Sequence, residues 1–218
     1  DVNIKLGNFD KALTMAKLVG NLNPKSVRSI LLIGEISLLQ NRLTAASEYA
    51  KTALQMDPGD INTILFGAKV ERALGNPLSA IDLLNSYLCT NPACYPVVIE
   101  KARIIYDLEG PDKANQALKP IVDMDIREIE SLQFIANVQS LCGEARNAIR
   151  TAQKASFLHP EDAGTHMLIG GLMRTSGDLD QAIYHFSEAI KYSPKNMDAM
   201  LELADVYASR REHQVAIK

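Results

Sequence analysis

A regular spacing of proline constrains the fold of this chain more than any other feature of its sequence. The gaps along the series are 34, 34, 68 and 34 residues, and Ile126 stands where one member is missing. The prolines are Pro24, Pro58, Pro92, Pro160 and Pro194. The same spacing passes through seven alanines, which are Ala12, Ala46, Ala80, Ala114, Ala148, Ala182 and Ala216. A period of this length, kept without an insertion, is typical of repeat architectures in which each unit is one supersecondary element.

The unit at residues 163–196 shows what one repeat contains. Its first half has a packing face with helical spacing, formed by His166, Ile169, Gly170 and Met173. Its second half has another face with the same kind of spacing, formed by Ala182, Phe186, Ala189 and Ile190. Between them lies a turn residue, which recurs as Gly7, Asn41, Gly75, Gly143 and Gly177. Pro194 ends the second face because proline cannot continue a helix. Each unit is therefore predicted to be a pair of helices, with Gly170 and Ala182 small because the two helix backbones approach closely.

The residue that precedes each first helix supports the same register. This residue is Ser26, Asp60, Cys94, Glu128, Asp162 or Asn196. Four of the six are types whose side chains accept a hydrogen bond from the free N–H groups at a helix start. The sequence therefore predicts N-caps at Ser26, Asp60, Asp162 and Asn196.

The pattern of the repeat resembles that of the tetratricopeptide repeat family. That pattern has an aromatic or apolar residue, two spacers, Leu-Gly, two spacers and Tyr, then Ala-x3-Phe and Pro, within 34 residues. Residues 27–60 and 163–196 match it closely, and the resemblance covers the whole chain. The family's tryptophan is absent, and its position holds Ile30, Ile64, Val98, Leu132, His166 or Met200. Pentatricopeptide repeats, which read RNA, have a slightly longer unit and would drift out of register.

The resemblance implies an all-α fold, a right-handed superhelix (solenoid) of helix-turn-helix units in a single array. Partial units would occupy residues 1–26 and 197–218. The full units would be 27–60, 61–94, 95–128, 129–162 and 163–196. Because Asp1 falls within a first helix and no initiator Met precedes it, the chain is expected to be a piece of a longer protein. Incomplete units at both ends predict end-to-end self-association, since natural arrays finish in a polar cap.

One unit, residues 95–128, departs from the pattern. Its glycine slips to Gly110, and Pro120 falls inside the second helix, where its ring clashes with the carbonyl four residues back. The helix that opens near Pro111 is therefore predicted to bend or end near Lys119. Asp125 and Glu128 have the spacing of a capping box, which predicts that the following helix starts about a turn early.

Composition excludes several classes of function. The 218 residues are 47% hydrophobic with a net charge of −3, which argues against a general nucleic-acid binder. No apolar run approaches the roughly 18 residues of a membrane span. Three cysteines are too few for a disulfide scaffold, although Cys89 and Cys94 could pair across a turn. Three ordinary thiols in a reducing compartment favour a cytoplasmic location, and a targeting signal outside this sequence would change it.

No catalytic or metal-binding motif stands out. The four histidines, His159, His166, His185 and His213, fall at a turn, a packing face, an outer face and a helix start. They are not expected to converge. No G-x-S-x-G elbow, phosphate-binding loop or dinucleotide fingerprint occurs. The sequence indicates no cofactor and no enzyme activity in this segment.

The resemblance implies that first helices line an inner, concave surface. Their packing face uses unit positions 4, 7, 8 and 11, so positions 2, 5, 9 and 12 lie on the opposite side. The predicted partner-binding residues are Leu31, Glu35, Leu65, Lys69, Arg72, Ile99, Arg103, Tyr106, Gln133, Asn137, Met167 and Arg174. They form an apolar stripe at position 5 with a basic centre at Lys69, Arg72 and Arg103.

The residues alone leave alternatives open. The position-5 side chains are also explained by packing against neighbouring helices, and Lys69 and Arg72 by charge pairing with Glu71 of the same helix. The favoured function is a scaffold that holds a protein or peptide segment, which an acidic stretch would suit, within a multiprotein assembly. The alternatives are a regulatory or substrate-presenting arm of a larger enzyme, and a structural repeat that contacts its own copies.

Overall fold

The computed structural model describes residues 11, 13–16, 18 and 26–210, and the region from Val27 to Ser209 is helical with short connections. The α-helices there are α1 (Val27–Leu39), α2 (Leu43–Met56), α3 (Ile61–Ala73), α4 (Pro77–Leu88), α5 (Tyr95–Glu109), α6 (Pro111–Leu118), α7 (Ile129–Leu141), α8 (Ala145–Leu158), α9 (Ala163–Ser176), α10 (Leu179–Tyr192) and α11 (Met197–Ser209). A 3-10 helix, Lys119–Ile121, follows α6. No strand occurs in the described part of the chain, and the predicted all-α fold is confirmed.

The chain divides into two compact units, Asp1–Ile104 and Ile105–Lys218. In the first, α1 packs on α2, α2 on α3 and α3 on α4, and α1 also contacts α3 directly. In the second, consecutive helices from α6 to α11 pack in the same way, and the first helices α7, α9 and α11 contact one another in turn. Each unit therefore carries a row of adjacent first helices. The single array over residues 1–218 stays a prediction.

The 34-residue register of the first helices is confirmed. They begin at Val27, Ile61, Tyr95, Ile129, Ala163 and Met197, each directly after the predicted capping position. The side chains of Ser26, Asp60, Asp162 and Asn196 accept hydrogen bonds from the N–H three residues on, at 3.3, 3.0, 2.6 and 3.1 Å. These four are the caps that the sequence predicts, and no capping bond is made by Glu128.

The turn inside each hairpin needs a left-handed backbone. Asn41, Gly75, Gly110, Gly143 and Gly177 have φ between 57° and 86°. Glycine adopts this conformation without steric cost, and asparagine tolerates it. The recurrent turn residue is thus fixed by the backbone, and Gly110 marks the turn that slipped in residues 95–128.

The reason for small residues at unit position 8 differs from the sequence interpretation. A Cβ built on Gly170 would lie 2.6 Å from the ring of Phe186, and one on Gly34 would lie 2.4 Å from the ring of Phe66. The close approach is therefore between a helix backbone and an aromatic side chain, rather than between two backbones. Gly170 meets a ring of its own repeat, whereas Gly34 meets a ring of the next one.

Pro120 ends its helix as predicted. Helix α6 has 8 residues, whereas α2, α8 and α10 have 14 each, and the chain continues into the 3-10 turn. The prediction of an early following helix is wrong, because α7 begins in register at Ile129. Asp125 does not act in a capping box. It pairs with Arg127 at 3.1 Å and with Lys154 of α8 at 3.3 Å.

Several sequence predictions fall outside the described residues. These concern Gly7, Ala12, Pro24, His213, Ala216 and the chain ends, so end-to-end association stays a prediction. Cys89, Cys94 and Cys142 are free, and the pairing of Cys89 with Cys94 is not formed. None of the helices in the described region is long and apolar enough to cross a membrane.

The buried alanine series generates a stability test. Ala148 has no exposed surface, whereas Ala145 is exposed at the start of the same helix. We expect Ala148→Leu to lower the free energy of unfolding by about 1–3 kcal/mol through overpacking. Ala145→Leu should change it by less than about 0.5 kcal/mol. Urea unfolding measures both, and equal effects would contradict the assigned packing face.

Candidate partner-binding face of the first helices

In residues 27–104, unit position 9 is the outward position of the first helices. Glu35 of α1 and Lys69 of α3 are exposed, and Arg103 of α5 is half-buried. These three side chains come from successive first helices at equivalent points. The structure therefore supports position 9 as an accessible polar row, with an acidic residue at α1 and basic residues at α3 and α5.

The apolar residues at position 5 are placed differently from the expectation. Leu31 is 8% exposed and Ile99 is 3% exposed, so they pack within the protein. Leu65 is half-buried and packs against the core cluster that contains Ile64 and Ala68. In this unit the packing alternative accounts for position 5, and only Leu65 has appreciable accessible surface.

Lys69 and Arg72 lie together on α3 and line one cleft. The cleft has a volume of about 380 Å³ and is lined by Leu38, Asn41, Leu43, Lys69, Arg72 and Ala73. The contact made by the Glu71 carboxylate is with Asn76, whose Nδ2 donates a hydrogen bond to it at 3.1 Å. Arg72 instead lies 3.7 Å from Glu100 on α5. Lys69 forms no ion pair or hydrogen bond with any described side chain.

A second cleft of about 770 Å³ opens beside α1. Its lining consists of Val27, Arg28, Leu31, Leu32, Glu35, Asp57, Asp60 and Asn62. Three of these residues are acidic and one is basic. The charge along the first helices of this unit therefore changes from acidic beside α1 to basic beside α3.

In residues 105–210 the predicted site residues are less uniform. Asn137 is exposed, while Tyr106, Gln133 and Met167 are half-buried. The amide nitrogen of Gln133 donates to Asp162 at 2.8 Å and to Thr165 at 2.9 Å. Gln133 thus bonds the cap of the next repeat. Arg174 also has a partner, because it forms an ion pair with Glu202 at 2.9 Å.

The sequence analysis missed a contact that recurs between adjacent repeats, from position 12 to position 6 of the next unit. Arg72 meets Glu100, Arg174 meets Glu202, and the rings of Tyr106 and Phe134 meet edge to face at 6.1 Å. Complementary residues 28 positions apart are the signal that would have revealed these pairs. Position 6 therefore belongs to the same surface as position 12.

The structure also brings two histidines together, contrary to the sequence expectation. Nδ1 of His166 lies 3.0 Å from Nδ1 of His185, and Nε2 of His166 lies 3.0 Å from the carbonyl oxygen of Pro160. Because a carbonyl only accepts, Nε2 of His166 carries a hydrogen, and when both rings are neutral Nδ1 of His166 accepts a hydrogen bond from Nδ1 of His185. Tyr192 stacks on His166 at 5.7 Å. The helical spacing of the sequence did not indicate this pair, because His166 lies on α9 and His185 on α10.

Burial, followed by the neighbouring His166, lowers the pKa of His185 to about 4, against the partial opposing effect of Glu188. Lys191, one turn further along α10, donates to the Glu188 carboxylate at 2.8 and 3.0 Å and lowers the pKa of that carboxyl. Across the described residues, no group of three or more His, Cys, Asp or Glu side chains is arranged to hold a metal ion.

The stacked helix pairs and their 34-residue register define a helical-repeat protein. Residues 27–60 match a tetratricopeptide repeat family model, and residues 173–218 match a second model of the same description. The chain therefore contains tetratricopeptide repeats. A search of curated proteins returned no match. Proteins of this family are generally interaction scaffolds.

Solved structures show the same fold. PilF of Pseudomonas aeruginosa has a TM-score of 0.73 and 14% identity, with 87% of this chain and 86% of that chain covered. A thermophilic tetratricopeptide repeat protein of Thermus thermophilus has a TM-score of 0.62 and 20% identity, with 84% and 100% covered. YrrB, described as having an unusual peptide-binding site, has a TM-score of 0.60 and 16% identity, with 85% and 95% covered.

The contact between Arg174 and Glu202 can be measured by a double-mutant cycle. We expect Arg174→Met to lower the free energy of unfolding by about 1 kcal/mol, because it removes the ion-pair partner that lies 2.9 Å from the partly exposed Glu202 carboxylate. In a Glu202→Gln background the same change should cost less than about 0.5 kcal/mol. Chemical denaturation of the four proteins gives the coupling. A coupling near zero would show that the pair is only a surface contact.

The histidine pair predicts a dependence of stability on pH. In the folded protein the pKa of His185 is lowered, so the neutral ring makes its full contribution to the free energy of unfolding above the ordinary pKa of 6.5. It falls as the pH drops toward about 4, since only the unfolded chain then takes up the proton. Because the ring is half-buried, solvent reduces the loss to roughly 1–2 kcal/mol. Urea unfolding between these limits should show a smaller loss in His185→Gln, and identical profiles would contradict the assignment.

Proposed function

We propose that the chain binds an acidic protein segment along the outward face of its first helices, at Lys69, Arg72 and Arg103. Its action in this segment is binding rather than catalysis. The observation that carries the proposal is Lys69, which is exposed, beside a cleft, and without an ionic partner among the described residues. An unpaired cation beside Arg72 leaves positive charge for a ligand to neutralise.

The composition of the cleft favours a segment that carries apolar and anionic residues together. Leu38 and Leu43 supply apolar wall, and Lys69 and Arg72 supply donors beside it. Leu65 adds a half-buried apolar surface on the same helix. An extended chain or an amphipathic helix with a carboxylate or phosphate next to an apolar side chain would match this arrangement. Leu31 and Ile99 expose only 8% and 3% of their surface and are left out of the proposed site.

Arg72 has two roles in this proposal. Its ion pair with Glu100 is long, at 3.7 Å, and the arginine side chain is 42% exposed, so its guanidinium can also reach an incoming anion. Glu100 is nearly buried and keeps Arg72 close to the surface of α5. The carboxylate of Glu100 would repel an acidic ligand that came too near, which fixes where the ligand's charge can lie.

Electrostatic attraction of this kind acts mainly on association rate and specificity. The interaction should weaken as salt rises, because exposed charges are screened over about 8 Å at physiological ionic strength. The acidic cleft beside α1, with Glu35, Asp57 and Asp60, should disfavour acidic residues at that end of the ligand. A bound segment is thus expected to have its acidic part at α3 and a neutral or basic part toward α1.

The test is a fluorescence-polarisation screen with two matched peptide libraries. One library spaces glutamate or phosphoserine among apolar residues, and the other carries lysine at the same positions. We expect binding from the acidic library only. Lys69→Glu combined with Arg103→Glu should weaken it by at least about tenfold, the equivalent of roughly 1.4 kcal/mol.

Lys51→Glu provides the matched control, since Lys51 is exposed on α2 and lines neither cleft. It makes one charge reversal in the same unit, against two in the test variant, and should leave binding unchanged. If Lys51→Glu were the damaging change, or if the lysine library bound equally well, the proposed face would be wrong. Circular dichroism of each variant separates loss of binding from loss of fold.

A further inference from the structure

A cavity lies at the break that Pro120 makes in the repeat pattern. Helix α6 ends after 8 residues, and residues 119–128, here called the strap, cross over α7 and α8 instead of a continuing helix. A cavity of about 170 Å³ lies beneath the strap. The strap is fastened on α8, because Lys154 Nζ contacts Asp125 at 3.3 Å and donates to the Met124 carbonyl at 3.4 Å, and His159 contacts the Arg127 carbonyl at 3.2 Å.

The wall of this cavity is aliphatic on one side. Val122 and Ile126 of the strap face Leu132 and Ile135 of α7 across it. Ile126, Leu132 and Ile135 are 2–3% exposed, whereas Val122 is 43% exposed, so the wall is buried on three sides and reaches solvent at Val122. For comparison, an apolar cavity of about 150 Å³ holds a benzene molecule. The space therefore suits a branched aliphatic group of a few carbons.

Most of the polar groups around the cavity are already bonded. Thr151 donates to Gln139 at 2.9 Å, Asn147 donates to Glu144 at 2.9 Å, and Lys154 holds the strap. Two charged residues of the lining differ. Arg150 and Asp123 are exposed at the mouth of the cavity, and they form no hydrogen bond or ion pair with any residue that the structure describes, not even with each other.

We propose that this cavity binds a small zwitterion with a branched aliphatic side chain, of the free amino-acid type. The side chain would fill the aliphatic pocket, the carboxylate would pair with Arg150, and the ammonium would pair with Asp123. A simple carboxylate would bring its charge near Asp123 without compensation, and a simple amine would do the same near Arg150. A ligand with both charges pairs with both exposed side chains, whereas a ligand with one charge pairs with only one of them, and arginine is suited to bidentate recognition of a carboxylate. This site is independent of the proposed partner-binding face.

The experiment titrates the full chain with L-leucine and with two analogues that each lack one charge, 4-methylpentanoate and 3-methylbutylamine. Methyl NMR of Ile126 and Ile135 locates the binding, and calorimetry measures it. We expect leucine to shift both methyl signals and to bind at least about tenfold more tightly than either analogue, since each lost charge-assisted hydrogen bond costs about that factor.

Paired variants separate the two charges. Arg150→Gln should reduce leucine binding to the level of the amine, and Asp123→Asn should reduce it to the level of the carboxylate. Arg146→Gln, one turn earlier on α8 and outside the cavity lining, should bind leucine as the unaltered chain does. Absence of shifts at Ile126 and Ile135 at millimolar leucine, equal binding of the analogues, or an equal loss in Arg146→Gln would overturn the proposal.

Discussion

A fully buried alanine at the same point of each described repeat sets the distance between the two helices of a hairpin. Ala46, Ala80, Ala114, Ala148 and Ala182 all have no exposed surface. A larger side chain at this point would force the helices apart, because protein interiors are close-packed. The ring of Phe186 lies over Gly170 within one hairpin, and the ring of Phe66 lies over Gly34 from the next repeat. With the helix spacing fixed, positions 9 and 12 of successive first helices face outward at equivalent points, which makes a continuous binding face in each unit feasible.

The contact from position 12 to position 6 of the next repeat shows how chemistry varies on this fixed frame. An ion pair, an aromatic pair and a second ion pair occupy it at Arg72–Glu100, Tyr106–Phe134 and Arg174–Glu202. These pairs are only partly buried, so water can solvate a charge or an apolar group that lacks its partner there at little cost in stability. Their geometry matters more than their energy, since exposed ion pairs contribute little to stability. Each pair also decides how much charge at its position remains for a ligand.

The repeat architecture absorbs the break at Pro120 because each repeat depends mainly on its neighbours. The break shortens one helix, yet the next first helix begins in register at Ile129. The strap replaces the lost turns through Ile121 and Ile126, which are buried, and through the bonds of Lys154. It fills the space incompletely, and a cavity with two free charges remains. A local departure from the pattern thus changes the surface without changing the register.

Most of the fold follows from the sequence alone. The period of 34 residues, the four N-caps and the end of α6 before Pro120 are local consequences of helix spacing, capping chemistry and proline geometry, so the residues themselves specify them. The candidate site follows less completely. Periodicity gives the direction in which a side chain points from its helix, and it correctly placed Lys69 and Glu35 on the accessible face. It does not show how closely the neighbouring helices pack, and that packing buries Leu31 and Ile99. Periodicity also does not show which residues on separate helices contact each other. The partner of Arg72 is Glu100 rather than Glu71, and the meeting of His166 with His185 and the cavity beneath the strap depend on how separate helices pack, which only the tertiary structure decides.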